Sequence, residues 1–333
     1  MARILFANQD LYPPPGGAGL SMLPVLAALV RAGHQVQSVN SGAHAGILQE
    51  RDCDLDGVRA RVTPRWLDHA RAIMDSERPG LVVTQGWGCV EILELARERR
   101  IPTALFVVDL IQLTDQPYCP DNLDYERAKH AFALADLVIA NSHFTRHRLK
   151  EIAGIEARVA YPVIHEEDYR VTGPRSPEFA LLASGLMHKG SHWLVEQAPA
   201  VPIPCAVCGP IQQGDEEVLA RTPNLKYLGL HNDMRPVYAR TRCLLLLSQF
   251  DETFGRVIIE AQLNGIPVVA HDKGAVREVA GKAAVYVQSS SQIPGAVARA
   301  LKIPPGLCLE NASRFSGAGA LETAVSLVQS LVP

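Results

Sequence analysis

The chain has 333 residues, more than the ~250–300 at which a single hydrophobic core stops growing, so two domains are expected. Hydrophobic residues make up 47% and charged residues 20%, which excludes a disordered or membrane-embedded chain. The net charge of -3 gives no general attraction to nucleic acid or anionic lipid, and an odd, scattered set of seven cysteines suits a reducing compartment.

The start, MARILFANQD, has one Arg and an apolar run too short for a signal-peptide core. Ala18 to Val30, the longest mostly apolar segment, falls short of the ~20 residues of a spanning helix. A cytoplasmic protein without a transmembrane segment is expected, and its oligomeric state is open. Arg3 to Asn8 reads as a strand. A Pro/Gly loop, PPPGGAG, leads into a helix over about Leu20 to Arg31, ended by Gly33, and Gln35 to Val39 is the next strand. This strand–loop–helix–strand unit begins a parallel α/β sheet. Leu81 to Thr84, Thr103 to Asp109 and Leu137 to Ala140 are further strands. A helix over about Val90 to Arg99 lies between the first two, and NSHFTRHRLK opens a basic helix after the third.

Pro162 to Pro177 is polar, carries three prolines and lacks periodicity, so it reads as a linker. The alternation then restarts. Strands are expected at Phe179 to Ser184, Ile203 to Val207, Leu225 to Tyr227, Cys243 to Leu247 and Val268 to Ala270. Helices are expected at Ser191 to Gln197, Phe254 to Asn264 and about Leu321 to Leu331. Cys205 and Cys208 form a lone CxxC in a Pro-flanked apolar segment with no second pair, which reads as two buried thiols. The domains are expected at 1–165 and 166–315, with 316–333 as a helix packing back toward the first. Ligands of such sheets bind outside the carboxyl ends of the strands, so a cleft between two facing domains is the natural site.

In SQFDETFGRVIIEAQLNGIPVVA, from Ser248 to Ala270, Glu252 and Glu260 stand eight positions apart. If a helix starts near Phe254, Glu252 lies at its N-terminus, where free amides favour anions. Eight residues rise roughly 12 Å. That is too far to share a proton, clamp one metal or act as the acid/base pair of a glycoside hydrolase, which needs roughly 5–10 Å. The pair suits hydroxyls at both ends of one long ligand with phosphates between, as in a nucleoside diphosphate sugar. The plain alternative is a first-turn Glu followed by a Glu on a solvated helix face.

The same segment, continued to HDKGAVREVAG, resembles the signature of the retaining glycosyltransferases of GT-B fold, family four. The shared residues are Glu252, Phe254, Gly255, Glu260, Gly265, Pro267, Val268, Val269, Gly274 and Glu278. The resemblance implies two Rossmann-like parallel-sheet domains facing a central cleft, the first for the acceptor and the second for the nucleotide sugar. It also implies retaining transfer of a hexose-type sugar from a UDP- or GDP-type donor to an acceptor hydroxyl by front-face attack, with no metal or other cofactor.

By the same resemblance Lys189, in Met187-His188-Lys189-Gly190, contacts the donor diphosphate, Glu252 orients the sugar and Glu260 binds the ribose diol. Gly16, Gly17, Gly185, Thr253, Phe254, Gly255 and Arg256 complete the donor side. For Gly16 and Gly17 a structural turn is equally open. Asp109, with a catalytic or acceptor role, either binds hydroxyls or caps a turn. Asp115 and Tyr118 are further acceptor-side candidates. Arg146, in a stretch like the family's S-x-F-x-R-x-x-L, either faces the ligand or lies on a solvated face. Two family residues are absent. Leu186 follows Gly185 where an Arg is usual, and Val108 stands where a His is usual. Two other classes remain: a sugar-nucleotide epimerase on the same scaffold, and a non-catalytic sugar-nucleotide-binding protein.

Overall fold

The structure is a computed structural model. It describes all residues except 10, 13–16, 43–45, 48, 87–88, 111–124 and 333. The chain divides into two compact units. The first takes its described residues from Met1–Asp115, Pro120–Val163 and Ala318–Pro333, and the second from Ile164–Gly317.

The first unit begins β1 (Arg3–Ala7), α1 (Gly17–Arg31), β2 (Gln35–Asn40), β3 (Arg51–Leu55), β4 (Val58–Val62), α2 (Trp66–Ser76) and β5 (Leu81–Gln85). It continues α3 (Val90–Glu98), β6 (Thr103–Val107), α4 (Tyr125–Leu134), β7 (Leu137–Ala140), α5 (His143–Ala153) and β8 (Arg158–Val159). The sheet order is β3-β4-β2-β1-β5-β6-β7-β8, parallel throughout except for the antiparallel β3–β4 pair. The central strands are continuously apolar because helices cover both faces. Alternation then sorts their side chains. Ile4 and Phe6 join one core with Met22, Leu26 and Leu29 of α1, while Leu5 and Ala7 join the other with Met74, Leu93 and Phe132.

The β3–β4 hairpin is absent from the sequence reading, although Asp56-Gly57 at its turn is a strong signal. Both residues take positive φ, 53° and 86°, which a tight two-residue hairpin turn requires. The strands' arginines and aspartates hid it, because an edge pair needs only a partial apolar pattern.

The second unit contains α6 (Glu166–Tyr169), β9 (Phe179–Leu182), α7 (Ser191–Gln197), β10 (Cys205–Val207), α8 (Asp215–Arg221) and β11 (Leu225–Tyr227). Then come α9 (Arg235–Arg240), β12 (Thr241–Leu246), α10 (Arg256–Gln262), β13 (Val268–His271), α11 (Val276–Ala280), β14 (Ala284–Val287), α12 (Ile293–Ala300) and α13 (Pro305–Ala312). Its six strands are all parallel in the order β11-β10-β9-β12-β13-β14. The expected strands are here, and β14 and the helices α6, α8, α9, α11, α12 and α13 were not foreseen. The segment expected as a linker is stitched to this unit. Arg175 donates to the Thr241 carbonyl at 2.8 Å, the Val171 amide to Asn264 Oδ1 at 2.8 Å, and Asn264 Nδ2 to the Tyr169 carbonyl at 3.0 Å. Part of its polarity serves these fixed hydrogen bonds, while Glu167, Asp168, Arg170 and Thr172 stay exposed.

The last helix, α14 (Ala318–Gln329), belongs to the first unit. Ala324 and Val328 are buried in the same core as α1, and burying a Val side chain contributes about 1.5–3 kcal/mol. Among the described residues no helix is long and apolar enough to cross a membrane.

Candidate active site

Three neighbouring strands of the second unit, β9, β12 and β13, end at the same edge because they are parallel. The loops that follow them, 183–190, 247–255 and 272–275, carry most of the expected donor residues. The loop after β12 is pinned from both sides. The Gln249 amide donates to the His188 carbonyl at 2.8 Å, and Lys273 Nζ donates to the Gln249 carbonyl at 3.0 Å. The Ala275 amide donates to the Glu252 carbonyl at 2.7 Å.

Two glycines make this closure possible. Gly190 has φ 88°, and a Cβ there would overlap the carbonyl oxygen of Leu247. Gly274 has φ 70°, and a Cβ would overlap the Glu252 carbonyl and stand 2.5 Å from its amide nitrogen.

Lys189 and Glu252 meet. Lys189 Nζ donates to Glu252 Oε2 at 3.1 Å and lies 4.4 Å from the Phe250 ring centroid, within cation–π range. Ser248 Oγ donates to the same Oε2 at 2.6 Å. Ser248 is buried, and its carbonyl accepts from His271 Nδ1 at 2.7 Å. That bond requires the proton on Nδ1. Burial lowers the pKa of His271, so its ring is held neutral, and it packs 4.6 Å from the Trp193 ring. Burial, then the Lys189 charge, likewise lowers the pKa of His188.

Glu260 has a separate set of partners. It is 6% exposed, and burial raises its pKa. The fully buried Tyr238 donates its hydroxyl to Oε2 at 2.8 Å, and Arg256 Nε stands 3.7 Å from Oε1. Arg256 Nη2 donates to the Tyr169 hydroxyl at 3.1 Å. Burial also raises the pKa of both tyrosines, with the Glu260 charge adding to it, so each keeps its hydroxyl proton.

The helix geometry assumed from the sequence needs correction. The helix starts at Arg256 and not near Phe254, because Gly255 takes φ 79° and caps it. Glu252 therefore precedes the helix, and the 12 Å axial spacing does not apply to it. The two glutamates have separate partners, Lys189 and Ser248 for one, Tyr238 and Arg256 for the other. Thr253 and Phe254 belong to the loop and are buried. The Phe254 ring packs edge-on against Phe315 at 5.7 Å, so its side chain is core. Gly185 is small for packing, since a Cβ there would lie 2.5 Å from Ile211 Cγ2 and 2.9 Å from Val207 Cγ1.

Gly17, Asp109 and Arg146 lie in the first unit. Gly17 opens α1, Asp109 lies half-buried two residues beyond β6, and Arg146 is half-buried on α5. Ser142 caps α5, its side-chain oxygen accepting from the Thr145 amide at 3.0 Å. Gly16, Asp115 and Tyr118 lie outside the described residues. Among the described residues, no three His, Cys, Asp or Glu side chains group as metal ligands.

Tyr169, Tyr238, Ser248 and His271 are the site residues that sequence reasoning missed. Ser248, four residues before Glu252 in the same loop, was open to it. The tyrosines reach Glu260 only through the fold.

Residues 15–167 match the family described as Glycosyltransferase Family 4, and residues 178–302 match Glycosyl transferases group 1. The chain belongs to the GT-B glycosyltransferases. No curated protein matches it. Among solved structures, this glycosyltransferase is similar to Anabaena Alr3699/HepE in complex with UDP-glucose, at 18% identity and a TM-score of 0.77 over 99% of each chain. It is also similar to the sucrose-phosphate synthase of Thermosynechococcus elongatus, at 15% identity and a TM-score of 0.73, covering 100% of this chain and 95% of that one. A third is AviGT4, a glycosyltransferase of avilamycin A biosynthesis, at 16% identity and a TM-score of 0.69 over 100% and 98%. Identities this low speak for the fold alone.

Proposed function

We propose that this glycosyltransferase moves a hexose from a nucleoside diphosphate sugar, of the UDP or GDP type, to an acceptor hydroxyl with retention at the anomeric carbon. The observation that carries the reading is the Lys189–Glu252 pair, an ammonium and a carboxylate 3.1 Å apart at the ends of the adjacent strands β9 and β12. A donor sugar needs both, a cation for its diphosphate and an acceptor for its hydroxyls. Anabaena Alr3699/HepE has been crystallised with UDP, with UDP and glucose, and with UDP-glucose, which supports the same ligand class here.

In this reading Glu260 accepts from the ribose hydroxyls through Oε1, since Tyr238 occupies Oε2. Glu252 orients the sugar. The bond from the anomeric carbon to the diphosphate oxygen breaks, and its electron pair leaves with the diphosphate. The acceptor oxygen bonds to that carbon on the same face, and its proton passes to the leaving diphosphate. Lys189 stabilises the charge that develops there, and positioning supplies the rest. No metal or other protein-bound cofactor takes part. The first unit takes the acceptor, with Asp109 and Arg146 among the contacts, and the reaction is cytoplasmic.

A thermal-shift screen of UDP- and GDP-sugars tests this. A donor at 100 times its Kd adds about 2.7 kcal/mol to the folded state, a readily measured rise. NMR of the product then reads its anomeric configuration. No shift and no transfer with any member of the panel would sink the proposal.

A further inference from the structure

Among the described residues, both hydrogen bonds to the Glu252 carboxylate fall on one oxygen, and the two donors are of different kinds. Lys189 sits at the end of a flexible four-carbon stem, its side chain 30% exposed. Ser248 is buried, with a single short rotor on a backbone held from both sides. The His271 ring fixes its carbonyl, and the amide of the next residue is bonded to the His188 carbonyl. Among the described residues nothing is hydrogen-bonded to Glu252 Oε1, the oxygen left for a ligand.

The proposed reaction gives Lys189 a second appointment. Its ammonium must reach the diphosphate at the moment charge develops there, and it then gives up part or all of its bond to Glu252. A buried carboxylate that lost its only donor would turn away to find another. We propose that Ser248 is a positioning residue that holds Glu252 in place while Lys189 exchanges that carboxylate for the leaving diphosphate. The inference rests on the placement of Lys189 on the diphosphate given above. Ser248 touches neither substrate nor reacting atom. It fixes Oε2 so that Oε1 keeps one direction toward the donor sugar before, during and after the exchange.

Crystal structures of the free enzyme test the holding without any donor. In Lys189→Ala, the lysine has in effect left, and the Glu252 carboxylate stays on Ser248 with its position unchanged. In the double variant Lys189→Ala, Ser248→Ala, the carboxylate turns away. A Glu252 that swings out of place in Lys189→Ala, with Ser248 intact, overturns the proposal.

Kinetics test the consequence, with UDP-glucose as donor probe, or whichever nucleotide sugar the screen selects. Ser248→Ala lowers kcat by about 10- to 100-fold, the cost of a misplaced group. The donor KM moves by less than about twofold, because ground-state binding is not what is lost. Ser248→Cys, which keeps the volume and weakens the donor, loses less. A Ser248→Ala enzyme with unchanged kcat, or one whose loss appears in KM and thermal stability alone, also overturns it. If no nucleotide sugar binds the wild-type enzyme, the functional reading fails. The Lys189→Ala structures still decide whether Ser248 holds Glu252.

Discussion

Tyr238→Phe removes one oxygen from a fully buried ring and leaves the packing otherwise intact. That oxygen donates to Glu260 Oε2 at 2.8 Å, and Glu260 is too buried for bulk water to take its place. The other groups facing the carboxylate are Arg256, 3.7 Å from Oε1, and Tyr169, whose hydroxyl accepts from Arg256. A net hydrogen bond between neutral groups contributes about 0.5–1.5 kcal/mol, and one to a charged group about 1.5–3 kcal/mol. The value here depends on the proton of Glu260, whose pKa burial raises above the usual 4.5. A carboxyl raised in this way gives a stability term that is full below the unfolded value and is lost as pH rises through the folded one. At acid pH the variant loses a bond to a neutral acid, about 1 kcal/mol. Above the folded pKa it leaves a buried charge one donor short, and the loss grows to about 2–3 kcal/mol. The deficit relative to wild type therefore widens with pH. Urea unfolding of both proteins from about pH 5 to about pH 8 reads it directly. At about 2–4 °C per kcal/mol for a unit of this size, thermal scans at the alkaline end fall by about 4–12 °C. A deficit that is flat across pH, or that narrows as pH rises, refutes Tyr238 as the donor to an ionising Glu260.

Other substitutions separate the parts of the site. Gly274→Ala places a methyl into the Glu252 backbone at a left-handed φ, and is expected to cost roughly 2–5 kcal/mol and most of the activity. Circular dichroism melts and a turnover assay check both. Glu260→Ala is expected to weaken donor binding more than turnover, and Glu252→Ala the reverse, as separate kcat and KM values will read. Near-normal kinetics in both would overturn the site. Burial pushes the Cys205 and Cys243 thiols up to about 12 and raises that of Cys208, whereas Cys53 is only half-buried. Of these four, native alkylation followed by mass spectrometry is expected to label Cys53 first.

The strand–loop–helix around Glu252 was legible because its signals are local: an apolar strand, a turn, an apolar helix, then Pro-Val-Val. The fold diverged from that reading wherever one residue's conformation decided the matter. Gly255 at positive φ delays the helix to Arg256, and no property of the letter G distinguishes that from a helical glycine. The short β14 was missed although AVYV is apolar throughout: four residues at the edge of the sheet, three of them only half-buried, give too short a run to separate strand from turn. The partners of Glu260 were illegible for a different reason. Tyr238 lies 22 residues before it and Tyr169 91 before it, and nothing local ties either to a carboxylate.

Gly190 and Gly274 sharpen the same lesson. In the sequence they are motif letters beside Lys189 and after the β13 strand, easily taken for points where a ligand comes close. In the fold the missing Cβ of each is filled by protein, the Leu247 backbone in one case and the Glu252 backbone in the other. They let the loops after β9 and β13 close on the loop after β12, and that closure fixes where Lys189 and Glu252 stand. A methyl at Gly274 is thus expected to act through the position of Glu252, since the atoms it meets are backbone of residues 251 and 252. On the proposed roles, donor affinity and turnover are then expected to separate in Gly274→Ala: a displaced Glu252 would cost turnover, while Glu260, held by its own partners, would keep its place.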